Sequence, residues 1–232
     1  MDMPALVSLT FDDGLRCQFD RAVPILDCHS LPGTFFLVAN TDPIHTDGHQ
    51  HQDWSKITWS ERDLELLQGV MRRGHEIGAH SMTHRRPELD DNPKFEAEGS
   101  KQWIESRLSC DTSSYCYPFY HVTEPIKAAV QAAGYKQARG GHNSSFYSAA
   151  DPVDWFEIDC RQITPSEQVK TWVQPGRWHI LVFHGIGTWD DGWEPITEEE
   201  FARQMAELAV LRDSGVVEVV TFARGAERLH RT

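Results

Sequence analysis

Residues 5–14 read ALVSLTFDDG, an apolar, strand-like run that ends on two adjacent carboxylates and a glycine. The leucines, valine and phenylalanine favour a buried strand. Asp12 and Asp13 disfavour its continuation, and Gly14 permits a sharp turn. Two ionised carboxylates side by side repel each other unless a cation or a proton relieves them. Because a DDG on its own is more often a solvated turn, its meaning depends on what else lies nearby.

Strand-like runs alternate with helical segments along the rest of the chain. The further runs predicted as strands are GTFFLVA (33–39), HEIGAH (75–80), SYCYPF (114–119), KQAR (136–139), WFEI (155–158), WHILVFH (178–184) and VVEVVT (216–221). This alternation favours a mainly parallel sheet. The length holds roughly seven or eight βα units, and no dinucleotide-binding GxGxxG follows the first strand, so the sequence predicts a barrel rather than a doubly wound sheet. No repeat or linker divides it, and we expect one domain over residues 1–232.

Capping patterns and one long polar stretch complete the predicted organisation. Ser60 is a predicted N-cap, and Thr164 and Thr197 begin capping-box patterns that predict helix starts. The polar stretch 40–56, which contains three histidines, is long for a loop in a compact domain. We expect it to rim the site and to influence specificity, although its histidines are more simply explained as solvated residues.

Composition and charge argue against some classes of partner and are compatible with a neutral or cationic substrate. A formal net charge of −13 argues against nucleic acid and anionic membrane surfaces. No stretch approaches the ~20 apolar residues of a membrane span. The five cysteines form no CxxC pair and indicate reduced thiols. With no signal-peptide pattern, these features predict a cytoplasmic protein, although an exported protein whose leader was removed would look the same.

Three histidines follow predicted strands. His80 and His84, in AHSMTH, have the i, i+4 spacing that brings two imidazoles to one face of a helical turn. Two histidines with one carboxylate form a common metal-ligand set that leaves positions open for water. Either motif alone is weak, but together, each at the end of its own parallel strand, they favour a metal site. His184 ends ILVFH and is expected to project into the same mouth rather than into the core.

These residues, taken in order, resemble the NodB-type polysaccharide deacetylases, metal-dependent carbohydrate esterases with a distorted (β/α)7 barrel. The first family motif, TFDDG, is matched fully by residues 10–14. The second, H-S/T-x-x-H, is matched fully by residues 80–84. The resemblance extends from Ala5 to about Thr221, and it implies that this chain has the same α/β barrel fold.

The three remaining family motifs match only in part. The third, R-x-P-F/Y, is matched at residues 118–119, but Cys116 stands where the family has arginine. Asp154 and Trp155 resemble the Asp-Trp pair of the fourth motif. The fifth, Leu-x-His, is matched by residues 182–184, with valine in place of leucine.

The resemblance implies a divalent metal bound by Asp13, His80 and His84, most often zinc, with Co²⁺, Ni²⁺ or Mn²⁺ as alternatives. Asp12 is then the general base that activates the attacking water. One acid of the DDG turn would hold the cation while its neighbour takes the proton, which explains how the pair is tolerated.

The resemblance also implies roles for five residues on the substrate side. The backbone N–H of Phe119 helps to hold the oxyanion, and His184 protonates the leaving amine. Asp154 tunes His184 in this scheme. Trp155 and Val182 wall the acetyl methyl, although for Trp155 a structural role is the simpler explanation.

The missing arginine of the third motif needs a substitute. In the family this arginine pairs with the base carboxylate, and Cys116 offers only a weak S–H donor and no permanent charge. Arg139, at the end of KQAR, is the candidate we favour to reach Asp12 from the following strand. Arg161 is the second candidate, and solvent exposure of both is the alternative.

The sequence thus predicts a metal-dependent amide hydrolase that removes acetyl groups from an N-acetylated sugar or glycan of the N-acetylglucosamine type. Three alternatives stay open: a hydrolase of cyclic amides or ureides with the same fold, an O-deacetylase, and a non-catalytic carbohydrate-binding relative. The presence of both Asp12 and His184 disfavours the last. The exact substrate, the metal and the oligomeric state are not fixed by the sequence.

Overall fold

The computed structural model describes residues 3–40, 54–140, 147–148, 153–163 and 173–230. The strands of the described residues form one sheet: β1 Ala5–Phe11, β2 Gly33–Leu37, β3 Glu76–Ala79, β4 Ser114–Cys116, β5 Gln137–Arg139, β6 Arg161–Gln162, β7 Trp178–Phe183 and β8 Val217–Val219. Their order is β5-β4-β3-β2-β1-β7-β6, with β8 paired to β1. Every pairing is parallel. A single parallel bridge between Arg139 and Ile158 joins β5 to the segment before β6, so the sheet curls towards a barrel.

Within the described ranges, six α-helices connect and cover the strands: α1 Val23–Cys28, α2 Glu61–Arg72, α3 Ser100–Leu108, α4 Glu124–Ala132, α5 Glu198–Asp213 and α6 Phe222–His230. Short π-helical turns lead into α1 and α3. The predicted caps of α2 and α5 are confirmed, because Ser60 Oγ and Thr197 Oγ1 accept amide hydrogen bonds at 3.3 and 3.2 Å. The capping pattern at Thr164 lies outside the described residues.

The two faces of the curled sheet follow from the two-residue period of a strand. On β1, Leu9 and Phe11 point outwards and pack with the helices in the larger apolar core, where Phe11 stacks on Phe35 at 4.7 Å. A smaller buried cluster fills the barrel interior; its members include Phe36, Cys116, Cys160, Trp178, Ile180 and Val182. The same alternation directs Asp12 inwards at the carboxyl end of β1.

Helix α6 closes the amino-terminal end of the barrel. The backbone N–H of Phe222 donates to Thr34 Oγ1, and that of Ala223 donates to Glu76 Oε2, both at 2.9 Å. Gly225 packs so closely on the Trp178 ring that a Cβ at this position would lie 2.4 Å from it. The carboxyl-terminal end of the barrel is therefore left for the polar residues that follow the strands.

One predicted strand is not formed, and most of the long predicted loop cannot be compared with the structure. The predicted strand 155–158 is wrong apart from the bridge at Ile158, because Asp154 Oδ1 accepts the Phe156 amide at 2.9 Å and folds these residues into a turn. Most of the polar stretch 40–56, including all three histidines, lies outside the described residues. None of the described helices has both the length and the apolar character needed to cross a membrane.

Candidate metal centre and active site

Asp13, His80 and His84 come together at the carboxyl ends of β1 and β3. Asp13 Oδ1 lies 3.4 Å from His80 Nε2 and 3.2 Å from His84 Nε2. One donor atom from each residue falls within 4.8 Å of the other two. Two imidazole nitrogens and one carboxylate oxygen at this separation fit a divalent metal of the zinc type.

Left-handed backbone, rather than a helical turn, brings these ligands together. Asp13 has φ +75°, which re-aims its side chain after the strand, and Ser81 and His84 have φ +65° and +56°. Ser81 Oγ accepts the His84 amide at 2.8 Å. The buried carboxylate of Glu96 accepts the amides of Met82 and Thr83 at 3.0 and 2.9 Å. The residue spacing predicted the proximity of the histidines but misjudged the backbone that creates it.

Both imidazoles present Nε2 to the centre. His80 Nδ1–H donates to the carbonyl oxygen of Cys116 at 2.9 Å, which fixes the tautomer and leaves Nε2 free to bind a cation. The His84 ring lies against the Phe119 ring with centroids 4.8 Å apart. Burial lowers the pKa of His84 below its ordinary value of 6.5, so its imidazole is neutral at neutral pH, as a metal ligand must be.

Asp12 occupies the interior face beside this centre and pairs with Arg139. One Asp12 oxygen accepts a hydrogen bond from Arg139 Nη2, and the other lies 3.6 Å from Cys116 Sγ. Asp12 and Arg139 are both buried. Burial alone would raise the pKa of Asp12, but the positive charge of Arg139, together with His80 and His184, lowers it below 3.8. Asp12 is therefore held as a carboxylate.

Arg139 reaches Asp12 because β4 and β5 are neighbours in register, with Cys116 opposite Arg139. Its Nη2 also donates to Cys116 Sγ at 3.0 Å, and Nη1 donates to Cys160 Sγ at 3.2 Å. Thiols are weak hydrogen-bond acceptors. Burial raises the pKa of Cys160 to about 11, so this thiol is protonated and uncharged at neutral pH. The guanidinium charge is thus directed at Asp12. The second candidate, Arg161, pairs in register with outward-facing Leu181 and lies on the other face of the sheet.

His184 follows β7 on the interior face and lies next to Asp12. Its Nε2 is 3.8 Å from Asp12 Oδ2, and its ring centroid lies 6.2 Å from that of Tyr120 and 5.0 Å from that of Trp193. Among the described residues, none forms a hydrogen bond with the buried Nδ1 atom. Burial lowers the pKa of His184 below 6.5, although Asp12 opposes this shift.

Asp154 and Trp155 do not lie where the resemblance implied. Asp154 is exposed, and Lys127 Nζ donates to it at 2.5 Å, so the expected contact with His184 is absent. Trp155 stacks on His230 of α6, with ring centroids 3.7 Å apart. Since α6 covers the opposite end of the barrel, the expectation that Trp155 walls the site is corrected as well.

The other substrate-side residues lie close to the centre. Val182 is fully buried in the interior cluster that also contains Cys116 and Cys160. Phe119 is half-buried with φ +57°, and the Arg86 guanidinium lies 4.4 Å above its ring. The left-handed turn at Phe119 accompanies the contact of its ring with that of His84.

Several residues of the site were not identified from the sequence. Gln18 is fully buried, and its Nε2 donates to the carbonyl oxygens of Asp12 and His184 at 2.6 and 3.0 Å, which ties two strand ends together. Tyr120 and Trp193 flank His184. No motif marks these three residues; an aromatic directly after the Pro-Phe pair was the one available signal for Tyr120.

A family model described as "Polysaccharide deacetylase" matches residues 3–138. A chitooligosaccharide deacetylase from Bradyrhizobium sp. (strain ANU 289) is 27% identical over 191 residues, 82% of this chain and 72% of the relative. One from Sinorhizobium fredii (strain NBRC 101917 / NGR234) is 26% identical over 183 residues, 77% of this chain and 71% of the relative.

Solved structures share the fold. The Xyl-CE4 domain of a multidomain xylanase from the hindgut metagenome of Trinervitermes trinervoides has a TM-score of 0.63 and 18% identity, covering 97% of this chain and 91% of that one. Peptidoglycan deacetylase PdaC from Bacillus subtilis has a TM-score of 0.61 and 14% identity, again with 97% and 91% coverage. At these identities the likeness concerns the fold alone.

Proposed function

The chain belongs to the polysaccharide deacetylase family, and from that premise we propose that it removes acetyl groups from an N-acetylated sugar or glycan of the N-acetylglucosamine type. The bond broken is an amide, so the protein is a hydrolase acting on carbon–nitrogen bonds. One observation carries the proposal: the Asp13–His80–His84 ligand set lies directly beside a buried carboxylate that is paired with Arg139. A binding module needs no such second acid.

We assign the metal to Asp13, His80 and His84, with zinc as the preferred ion for this donor set. When bound, a divalent ion there supplies a Lewis acid that polarises the acetamide carbonyl and acidifies water. The neutral His84 imidazole and the fixed His80 tautomer prepare the donors for such an ion.

The chain's own residues then perform the proton transfers. Asp12, ionised and oriented by Arg139, accepts a proton from the attacking water. The Phe119 backbone N–H donates to the oxygen that gains charge as the water oxygen adds to the carbonyl carbon. His184 gives a proton to the nitrogen as the carbon–nitrogen bond breaks, which releases acetate and the free amine. Val182 is proposed to support the pocket for the acetyl methyl from within the interior cluster, since its side chain is fully buried.

The structure weakens the case for the cyclic-amide alternative. That alternative gained support from the absence of arginine at Cys116. Since Arg139 brings a guanidinium to Asp12 from the next strand, the pairing that the motif provides is present after all. O-deacetylation needs the same groups and is separated only by assay. The five free cysteines lead us to propose a reducing compartment.

Purified protein tests the function directly. We expect about one divalent ion per chain by elemental analysis. We also expect acetate release from N-acetylglucosamine or its oligomers, exceeding that from O-acetylated xylose oligomers, and no ring opening of a cyclic ureide. His80→Ala should lose both ion and activity. Asp12→Asn should keep the ion and lose about 10²–10⁴ in rate. Stoichiometric metal that survives the loss of both His80 and His84, or ring opening without acetate release, would contradict the proposal.

A further inference from the structure

The ladder of hydrogen bonds between β1 and β7 ends at the active site. Since Phe183 lies opposite the last residue of β1, Asp12 lies opposite His184. The Asp12 amide still donates to the Phe183 carbonyl at 3.1 Å. The next bond of a parallel ladder would run from the Gly185 amide to the Asp12 carbonyl, but this amide turns away to a carbonyl of the following segment, at 3.4 Å. The two strands therefore separate where the proposed base and the proposed acid follow them.

The side chain of Gln18 takes the place of the missing bond. Gln18 begins the helical turn Gln18–Ala22, shortly after the DDG turn, and is fully buried. Its Nε2 donates one hydrogen to the Asp12 carbonyl at 2.6 Å and the other to the His184 carbonyl at 3.0 Å. Because both partners are acceptors, the amino group of the amide and not its oxygen must face them. One side chain thus joins the two strand ends that carry the proposed base and acid.

Two neighbours of Gln18 hold the chain immediately beyond the proposed acid. Cys17 Sγ accepts the Ile186 amide at 3.3 Å, and Arg21 Nη1 donates to the Ile186 carbonyl at 2.6 Å. Arg21 packs so closely on Gly187 that a Cβ at this position would lie 2.0 Å from Nη1. The segment after the DDG turn therefore fixes the backbone on the carboxyl side of the proposed acid at several points.

The proposed base and the proposed acid differ in how much they need this support. The Asp12 carboxylate accepts a hydrogen bond from Arg139, and the Asp12 amide bonds to β7 independently of Gln18. His184 lacks a comparable anchor, because none of the described residues forms a hydrogen bond with its Nδ1 and its Nε2 lies 3.8 Å from Asp12 Oδ2. The position of the His184 imidazole therefore depends on its backbone and on the packing of its ring.

Stability alone does not account for a glutamine at this position. Gln18 Oε1 is buried, and no described residue donates to it. An unpaired buried oxygen costs free energy that an apolar side chain of the same shape would not. We propose that Gln18 is a positioning residue, which holds His184 at the distance from Asp12 at which a proton can be delivered to the leaving nitrogen. This inference rests on the proposed function.

Gln18→Met tests this role, because it keeps the length of the side chain and removes both N–H donors. Gln137→Met is the matched control. Gln137 is also buried, and its Nε2 donates to Ser113 Oγ at 3.2 Å and to Ser114 Oγ at 2.7 Å, but it lies at the start of β5, away from the site. Gln18→Met should lower kcat about tenfold or more and should change KM and metal content less than about twofold. Gln137→Met should alter none of these three quantities.

The His184→Ala background shows whether Gln18 acts through His184. There, Gln18→Met should lower kcat by less than about a further threefold, because the group that it positions is already absent. A loss as large as in the wild type, a loss in Gln137→Met, or an unchanged kcat in Gln18→Met would each overturn the inference. If Gln18→Met does not fold, Gln18→Asn takes its place; its amide is one methylene too short to reach both carbonyls, and kcat should fall about threefold or more, with the same outcomes counting against the inference.

Crystal structures of the metal-loaded variants separate this inference from the proposed function. In Gln18→Met the distance from Asp12 Oδ2 to His184 Nε2 should grow from 3.8 Å by about 1 Å or more, and in Gln137→Met it should stay the same. If the wild type releases no acetate but this distance grows in Gln18→Met, the proposed function fails and the positioning role stands. An unchanged distance in Gln18→Met overturns the inference, whether or not the protein is a deacetylase.

Discussion

The buried pair of Asp12 and Arg139 should show a large energetic coupling. Arg139→Met keeps much of the side-chain volume but removes the charge, and it leaves the Asp12 carboxylate buried without its cation. Asp12→Asn leaves the buried guanidinium with uncharged partners only, among them two thiols. The double variant leaves neither charge stranded. We therefore expect the two single variants to cost more in sum than the double variant does.

The magnitude of the coupling follows from the burial of both groups. The Arg139 side chain is 0% exposed and the Asp12 side chain is 3% exposed. Breaking a buried pair by removing one partner costs about 3–5 kcal/mol, whereas removing both charges is often close to neutral. Arg139→Met should therefore lower the free energy of unfolding by about 3–5 kcal/mol. The double variant should be no less stable than Arg139→Met, which corresponds to a coupling energy of about 3 kcal/mol or more.

Urea unfolding at neutral pH, followed by tryptophan fluorescence on protein of equal metal content, measures this cycle. Arg161→Met is the matched control, because Arg161 lies on β6, the next strand along the chain, but on the other face of the sheet; its effect should add to that of Asp12→Asn within about 0.5 kcal/mol. Arg139→Met should also lower kcat by about a hundredfold, the effect of a misplaced base, with metal content unchanged. Additivity of Asp12→Asn and Arg139→Met within the same margin would refute the reasoning.

Three further predictions concern other groups. His184→Ala should keep the metal but lose about 10²–10⁴ in kcat. Because burial lowers the His184 pKa, the alkaline limb of kcat/KM should lie below pH 6.5 and vanish in this variant; a limb that persists unchanged would reassign the acid. His75 accepts the Gly33 amide at Nδ1, and burial lowers its pKa, so its contribution to stability is present above pH 6.5 and lost as the pH falls; His75→Asn should flatten the dependence of the unfolding free energy below that pH. Iodoacetamide at pH 8 should label exposed Cys28 well before Cys17, whose pKa is raised to about 11, as peptide mass spectrometry can show; equal labelling would contradict the burial.

Much of the sheet could be predicted because its signals are periodic. Seven of the eight predicted runs contain an observed strand, and the alternation along β1 directs Asp12 to the interior as a two-residue period requires. The run 155–158 failed since its composition does not reveal that the Asp154 side chain bonds to the Phe156 amide. A short apolar run is ambiguous until such local bonds are known.

The site also contains residues whose positions could be predicted from the sequence and residues whose positions could not. Arg139 could be predicted to approach Asp12 because it ends the strand that follows Cys116 in the chain, and adjacent parallel strands end at one edge. Asp154 could not be placed, because its identity matched a motif while its position depended on the turn that contains it. Trp193 also escaped prediction, since no motif marks the segment after β7 that brings its ring to His184.

Because β1 is central in the sheet, the metal ligands and the Asp12–Arg139 pair are assembled from different parts of the chain. Asp13, His80 and His84 follow β1 and β3, which are joined through β2, so all three belong to the first part of the chain to be synthesised. The Asp12–Arg139 contact spans 127 residues, and the pairing on the other side of β1 needs β7, which comes later still in the chain. Longer loops cost more entropy to close and form later. A partly folded chain can therefore gather its cation ligands before Arg139 reaches Asp12, and we expect metal binding to recover before turnover during refolding.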